Sequence, residues 1–134
     1  MGFCDETEED FLQSMELAQY ARFDMIYIGI YSPRPGTLAH RQMIDDVPRD
    51  VKHDRRSRLN EQLKIISQEN NQHDIGSTTD VMITSMHDDF VGGYTASMKN
   101  ISLPASAASQ VTVGEFATAQ ITGAEQFRLQ GKLI

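Results

Sequence analysis

The sequence predicts an α+β chain in two parts: a C-terminal αβ segment of an α/β barrel, joined by a bridging helix to a small all-β barrel. Three observations carry this. One amphipathic stretch runs straight into one apolar stretch near the N-terminus. A long polar helical pattern fills the middle. From His73 onward the chain breaks into short alternating segments separated by glycine and proline.

Thr7 followed by Glu8, Glu9 and Asp10 reads as a helix cap with acids in the first turn. Phe11, Met15, Ala18 and Ala21 recur at helical spacing, which predicts an amphipathic helix over 8–21. Met25 to Tyr31 is apolar at successive positions, the pattern of a strand buried on both faces of a parallel sheet. One helix and one strand make one αβ unit of a parallel sheet or barrel and cannot close a barrel, so this part reads as a fragment of a larger fold. Two prolines and a glycine between Tyr31 and Thr37 forbid both helix and strand and fix a rigid loop. Loops after barrel strands carry chemistry, although a stiff connector would read the same way.

Residues 46–72 read as the bridging helix, with Pro48 in its first turn and Asn70-Asn71 ending it. Val51, Leu59, Leu63 and Ile66 form an apolar stripe. Lys52, Arg55, Arg56 and Arg58 are expected on the other surface, as a solvated face or as a ridge that meets RNA phosphates. Residues 73–134 offer strands at Thr79–Ser85, Gly93–Met98, Phe116–Thr122 and Arg128–Leu133, which suggest a small β-barrel or sandwich. Val81 with Ile83, and Ala117, Ala119 and Ile121, each share one strand face, while Ala105 to Ser109 reads as a loose loop.

Composition bounds the function. The 134 residues are 40% apolar and 23% charged, ordinary for a globular chain. No apolar run approaches the ~20 residues of a membrane span, and no basic region precedes an apolar leader. The expected compartment is the cytoplasm, with no membrane partner. The single cysteine, Cys4, excludes an internal disulfide framework and an all-cysteine metal site within one chain. The net charge of −7 is spread over both halves: residues 1–72 hold 13 acids against 9 Lys and Arg, and residues 73–134 hold 6 against 3. Such a chain repels phosphate at long range, so no DNA partner is expected and RNA must be met by local clusters. His40, His53, His73 and His87 show no ligand spacing and are expected at the surface, and no metal site is expected.

Three stretches together resemble one family. Gly2 to Phe11 is similar to a segment that carries proline at the Cys4 position and glycine at the Asp5 position. Tyr31-Ser32-Pro33-Arg34-Pro35-Gly36-Thr37 matches a second segment without change. Asp46-Val47-Pro48 with Val51, Lys52, Arg58, Leu59, Asn60 and Glu61 resembles the linker helix that follows. Gly114 to Leu133 is similar to the end of a TRAM domain, an OB-like RNA-binding barrel. The chain thus resembles the radical S-adenosylmethionine methylthiotransferases, and Arg34 points to their tRNA-modifying branch.

The resemblance implies an enzyme that places a methylthio group on the adenosine beside the tRNA anticodon, as in 2-methylthio-N(6)-isopentenyladenosine. It implies two 4Fe-4S clusters and S-adenosylmethionine, with three cysteine thiolates for each cluster, supplied by an N-terminal part of the same enzyme. This fragment is expected to bind none of these cofactors fully and to be inactive alone, with Cys4 a small buried hydrophobe. Glu6, Tyr31, Ser32 and Arg34 are expected beside S-adenosylmethionine. Lys52, Arg55, Arg56, Arg58, Lys99, Phe127, Arg128 and Lys132 are expected to meet the tRNA anticodon arm, although alternation with Leu129 favours a core position for Phe127. Residues 1–45 would end the barrel, 46–72 link, and 73–134 form the TRAM domain. Asp5 in place of glycine implies strain if its φ is positive, and Tyr94 replaces a common arginine. A standalone RNA-binding or interaction module is the alternative function, and a truncated reading frame without a role of its own is the blander one.

Overall fold

The computed structural model describes every residue from Met1 to Ile134. The chain divides into two compact units, Met1–Lys64 and Ile65–Ile134. Helices come first and a closed five-stranded barrel follows, the expected α+β arrangement.

In the first unit, helix α1 spans Glu8–Ala21, the range read from the sequence. Thr7 Oγ1 accepts the Asp10 amide at 3.1 Å, and the Asp10 carboxylate accepts the Thr7 amide at 2.9 Å. This reciprocal box satisfies amides that the first helical turn leaves without partners. Phe11 and Ala18 pack with Leu59 in a small core, with half-buried Met1, Met15, Ile26 and Ile28 around it. Helix α2, Leu38–Gln42, is capped by Thr37 and was not anticipated, since five residues are too few to show a period.

Met25 to Tyr31 forms neither a helix nor a sheet strand, which corrects the expectation of a doubly buried strand. Ile26, Ile28 and Ile30 are half-buried, whereas Met25, Tyr27 and Gly29 are exposed, Tyr27 at 95%. The small core covers one face of this segment only. Met1 bonds to its backbone at two points. The Met1 ammonium donates to the Gly29 carbonyl at 2.7 Å, and the Tyr31 amide donates to the Met1 carbonyl at 2.9 Å.

Helix α3 spans Arg49–His73, and its residues fall in both units. It continues past Asn70-Asn71, a second correction. Asn71 is buried, and its amide donates to the carbonyls of Glu125 at 2.9 Å and Gln126 at 3.2 Å. Ser67 also donates to the Gln126 carbonyl. These bonds tie the helix end to a barrel loop of the same unit, and the chain turns instead at Gly76, φ 90°.

The barrel strands are β1 Thr78–Met86, β2 Phe90–Thr95, β3 Asn100–Pro104, β4 Phe116–Ala124 and β5 Leu129–Leu133. Their order around the barrel is β1-β2-β3-β5-β4, closing back on β1. All pairs are antiparallel except β3 with β5, where Ile101 faces Leu129 and Ser102 faces Gln130. Val81, Ile83, Val91, Ile101, Leu103, Ala119, Ile121 and Leu129 fill the interior. β3 was missed because its Asn-Ile-Ser-Leu-Pro run ends in proline and is short. Ala105 to Ser109 is not loose: it forms a 3-10 helix that buries Ala107 in the same core.

Candidate functional site

Two places gather the residues that the sequence singles out. In the first unit, α3 presents two cations inward. Lys52 and Arg55 are each only 4% exposed, which corrects their placement on the outer surface with Arg56 and Arg58. The reason is local charge. Lys52 pairs with Asp45 and donates to the Tyr31 carbonyl at 3.4 Å, and its ammonium lies 5.2 Å from the centre of the Tyr31 ring. Arg55 donates to the Glu6 carboxylate at 2.9 Å, the Glu6 carbonyl at 3.0 Å and Glu8 at 3.3 Å. A buried charge survives only when paired and hydrogen-bonded, and these acids supply that. Arg58 bridges Glu8 at 2.6 Å and Asp54 at 3.3 Å and lies over Phe11, while Arg56 is exposed.

The turn from Gly2 to Glu6 is moulded to this pair. Gly2 has φ +74°, and a Cβ there would stand 2.2 Å from Lys52 Cγ, so only glycine fits. The Gly2 amide donates to Glu6 Oε1 at 2.9 Å. Asp5 does adopt a positive φ, 64°, the strained condition foreseen for it, and its amide donates to Asp46 at 2.9 Å. Cys4 is buried beside Tyr31. A hydrogen bond with the Cys4 thiol, then burial, pushes the Tyr31 phenol above its ordinary value. Phe3 meets the Tyr31 ring edge-on at 4.9 Å.

Of the four residues expected beside S-adenosylmethionine, Glu6 is therefore taken up by Gly2 and Arg55, and Tyr31 is half-buried. Ser32 and Arg34 are exposed on the proline loop. That loop is braced by Thr37, whose hydroxyl donates to the Arg34 carbonyl at 2.8 Å.

In the barrel, the loops β1–β2 and β4–β5 approach each other. Arg128, in the second, lies 5.5 Å over the Phe90 ring that begins β2. Arg128 and Lys132 are exposed and line a groove of about 520 Å³ with Asp89, Phe90 and Ser102. Phe127 is half-buried in the β4–β5 loop and lines a neighbouring hollow with Asn100 and Gln126, so it is not one of the interior core residues. Lys99 sits apart from that groove, paired to Asp74 at 2.8 Å. His87 and Phe90 were missed as site residues. His87 stacks on Phe90 with ring centres 4.3 Å apart. The signal was a histidine and a phenylalanine flanking an Asp-Asp turn between two strands. His40, His53 and His73 are exposed, as His87 is.

No group of three or more His, Cys, Asp or Glu side chains is placed to hold a metal ion, and no helix is long and apolar enough to cross a membrane. The first unit also bears an apolar hollow of about 420 Å³ lined by Leu17, Ala18, Phe23, Met25, Ile26 and Tyr27.

No family model matches the sequence. Curated relatives do. The chain is 34% identical over 137 aligned positions, covering all of it, to a tRNA-2-methylthio-N(6)-dimethylallyladenosine synthase of Malacoplasma penetrans. It is 44% identical over 82 positions to the synthase of that name from Porphyromonas gingivalis, covering 61% of this chain. Against the Thermus thermophilus synthase it is 38% identical over 110 positions, covering 81%. The aligned region spans only 27%, 18% and 23% of those relatives' own lengths.

Proposed function

We propose that this chain, whose sequence corresponds to a C-terminal portion of the tRNA methylthiotransferases with a small β-barrel, serves as the tRNA-holding and cofactor-bordering part of such an enzyme. The observation that carries the proposal is the closed barrel with strand order β1-β2-β3-β5-β4. In five-stranded barrels of the OB type, oligonucleotides bind on strands 2 and 3 and at the loops between strands 1 and 2 and strands 4 and 5. Here those two loops carry the stacked ring, Arg128 and the groove. Arg128 and Lys132 would contact phosphates of the anticodon arm. Arg56, exposed on α3, is a further phosphate donor, whereas Lys52 and Arg55 are committed to ion pairs.

S-adenosylmethionine, when bound, supplies the methyl and radical chemistry. The residues here would only orient it. Arg34 can bind its carboxylate in bidentate fashion and Ser32 can donate a hydroxyl. Iron–sulfur clusters take several thiolates. Cys4 is alone and buried, so the residues present do not fit a cluster, and cluster binding is assigned to the N-terminal part that the resemblance implies.

Two measurements test the proposal. Titration of the full chain with an anticodon stem-loop at two salt concentrations should show weak, salt-sensitive binding that Arg128→Ala and Lys132→Ala reduce. Arg34→Ala, placed in an intact relative, should lower methylthiolation. Absence of binding at low salt removes the RNA reading, and unchanged turnover leaves the proline loop a connector. The exposed apolar hollow favours a second reading, an interaction module, which a stable complex with another protein and no RNA affinity would support.

A further inference from the structure

We infer that the β1–β2 hairpin of the barrel is a stacking platform for one unpaired RNA base, with His87 as its outer ring and Phe90 as its anchor. The inference rests on the RNA-binding reading above and adds the base site to it.

Phe90 is half-buried at the start of β2. The exposed His87 ring lies on it with centres 4.3 Å apart and planes inclined by 25°. One further contact holds the imidazole there, and the local backbone positions it. The His87 amide donates to the Phe90 carbonyl at 2.9 Å, which closes the turn. His87 Nε2 lies 3.0 Å from Ser85 Oγ, which fixes the ring plane. A bulge between Ile83 and Ser85 shifts the register just before the turn and sets Ser85 opposite Gly92. Gly92 is what makes room: a Cβ there would stand 2.4 Å from Ser85 Oγ.

A histidine on a hairpin tip ordinarily samples several rotamers in water. This one has one ring face covered by Phe90 and its edge tethered, so much of the ordering entropy is already lost before a ligand arrives. Every nucleobase has a π-face, and a base laid on the outer face of His87 continues the column His87–Phe90. Arg128 and Lys132 stand in the adjoining groove as phosphate donors. Asp88 is exposed at the tip and repels phosphate from it, whereas Asp89 and Glu125 line the groove beside the two cations. The charges therefore orient a strand with its backbone toward Arg128 and Lys132 and a base toward the ring. A duplex offers no free base face, so the ligand class is single-stranded RNA, such as the loop of a stem-loop.

The test uses the full chain and a stem-loop carrying 2-aminopurine in its loop. Wild-type chain should quench the 2-aminopurine on binding. His87→Ala, at an exposed site, should leave circular dichroism unchanged, abolish the quench and weaken binding by roughly 5- to 150-fold, the range for loss of one stacked base. His87→Phe should restore both, which a merely structural role for the imidazole would not. Lys132→Ala should lower the salt dependence of binding instead, with the quench retained. If wild-type chain binds the stem-loop and His87→Ala binds and quenches equally well, the platform is refuted and the RNA reading stands. If wild-type chain does not bind at low salt, the RNA reading falls and the platform with it.

Discussion

Removing the Arg55 side chain tests the reading of the first unit as a turn moulded onto a buried cation. Arg55→Ala deletes hydrogen bonds to the Glu6 carboxylate, the Glu6 carbonyl and Glu8. The Glu6 side chain is 18% exposed and would keep only the Gly2 amide as its recorded partner. Glu8 is half-exposed, returns to water and remains paired to Arg58, so its share of the loss is small. Breaking one side of a buried pair costs about 3–5 kcal/mol. With Glu8 discounted, about 3 kcal/mol is expected, or roughly a 150-fold rise in the opening equilibrium constant. Hydrogen exchange read on peptides from residues 1–22 and 49–64 measures it. The pair Arg55→Met with Glu6→Gln should recover most of the loss, because no charge is then left buried and unpaired. Exchange in Arg55→Ala that matches wild type would refute the reasoning, as would a double variant no better than the single one.

Other outcomes follow from the same geometry. Asp5→Gly should stabilise the first unit by about 1 kcal/mol, read in urea, because a left-handed residue with a Cβ is strained by about 1–2 kcal/mol and glycine gives back part of that in entropy. Leu129→Ala, at a fully buried barrel position, should cost about 2–5 kcal/mol and unfold a barrel this small at ordinary temperature, as followed by circular dichroism. Glu8 is held below its ordinary carboxylate value chiefly by the hydrogen bond from Arg58, and Asp10 by Thr7. A lowered folded value gives stability that is complete above the unfolded value of about 4 and lost as pH falls through the folded one. Acid titration of wild type should show that loss, and Glu8→Gln should flatten part of it. Amides from Ile26 to Ile30 should exchange quickly in a proven monomer, since no sheet partner holds that segment.

Much of the fold was legible because local signals agreed. Thr7, the acids after it and the Phe11-Met15-Ala18 spacing all pointed to one helix with one start. Val81 and Ile83 declared a strand face by alternation. What was not legible depended on partners distant in sequence. Nothing near Lys52 or Arg55 says that Asp45 and Glu6 will meet them, so a basic run on a polar helix read as a surface. Met25 to Tyr31 has the composition of a doubly buried strand, but its neighbours in this chain cover one face. On the barrel, Arg128 and Lys132 were visible as lone cations in an acidic half. His87 was not, because its stacked position depends on Phe90 beneath it and on the absence of a Cβ at Gly92.

The one parallel seam of the barrel has a consequence for synthesis. β5 lies between β3 and β4, yet it comes last in sequence among the five barrel strands. The hairpin of β1 and β2, with β3 added, can form as the chain emerges, and β4 can then join β1. At that stage β3 and β4 still present open edges, and the side chains of Ile101, Leu103 and Ile121 have no lid between them. Only when Leu129 to Leu133 has cleared the ribosome can one short strand satisfy both edges at once. Closure of the barrel thus waits on the five residues of β5, Leu129 to Leu133. A chain stopped just before them would carry an almost complete barrel with two sticky margins, a template for pairing with other chains.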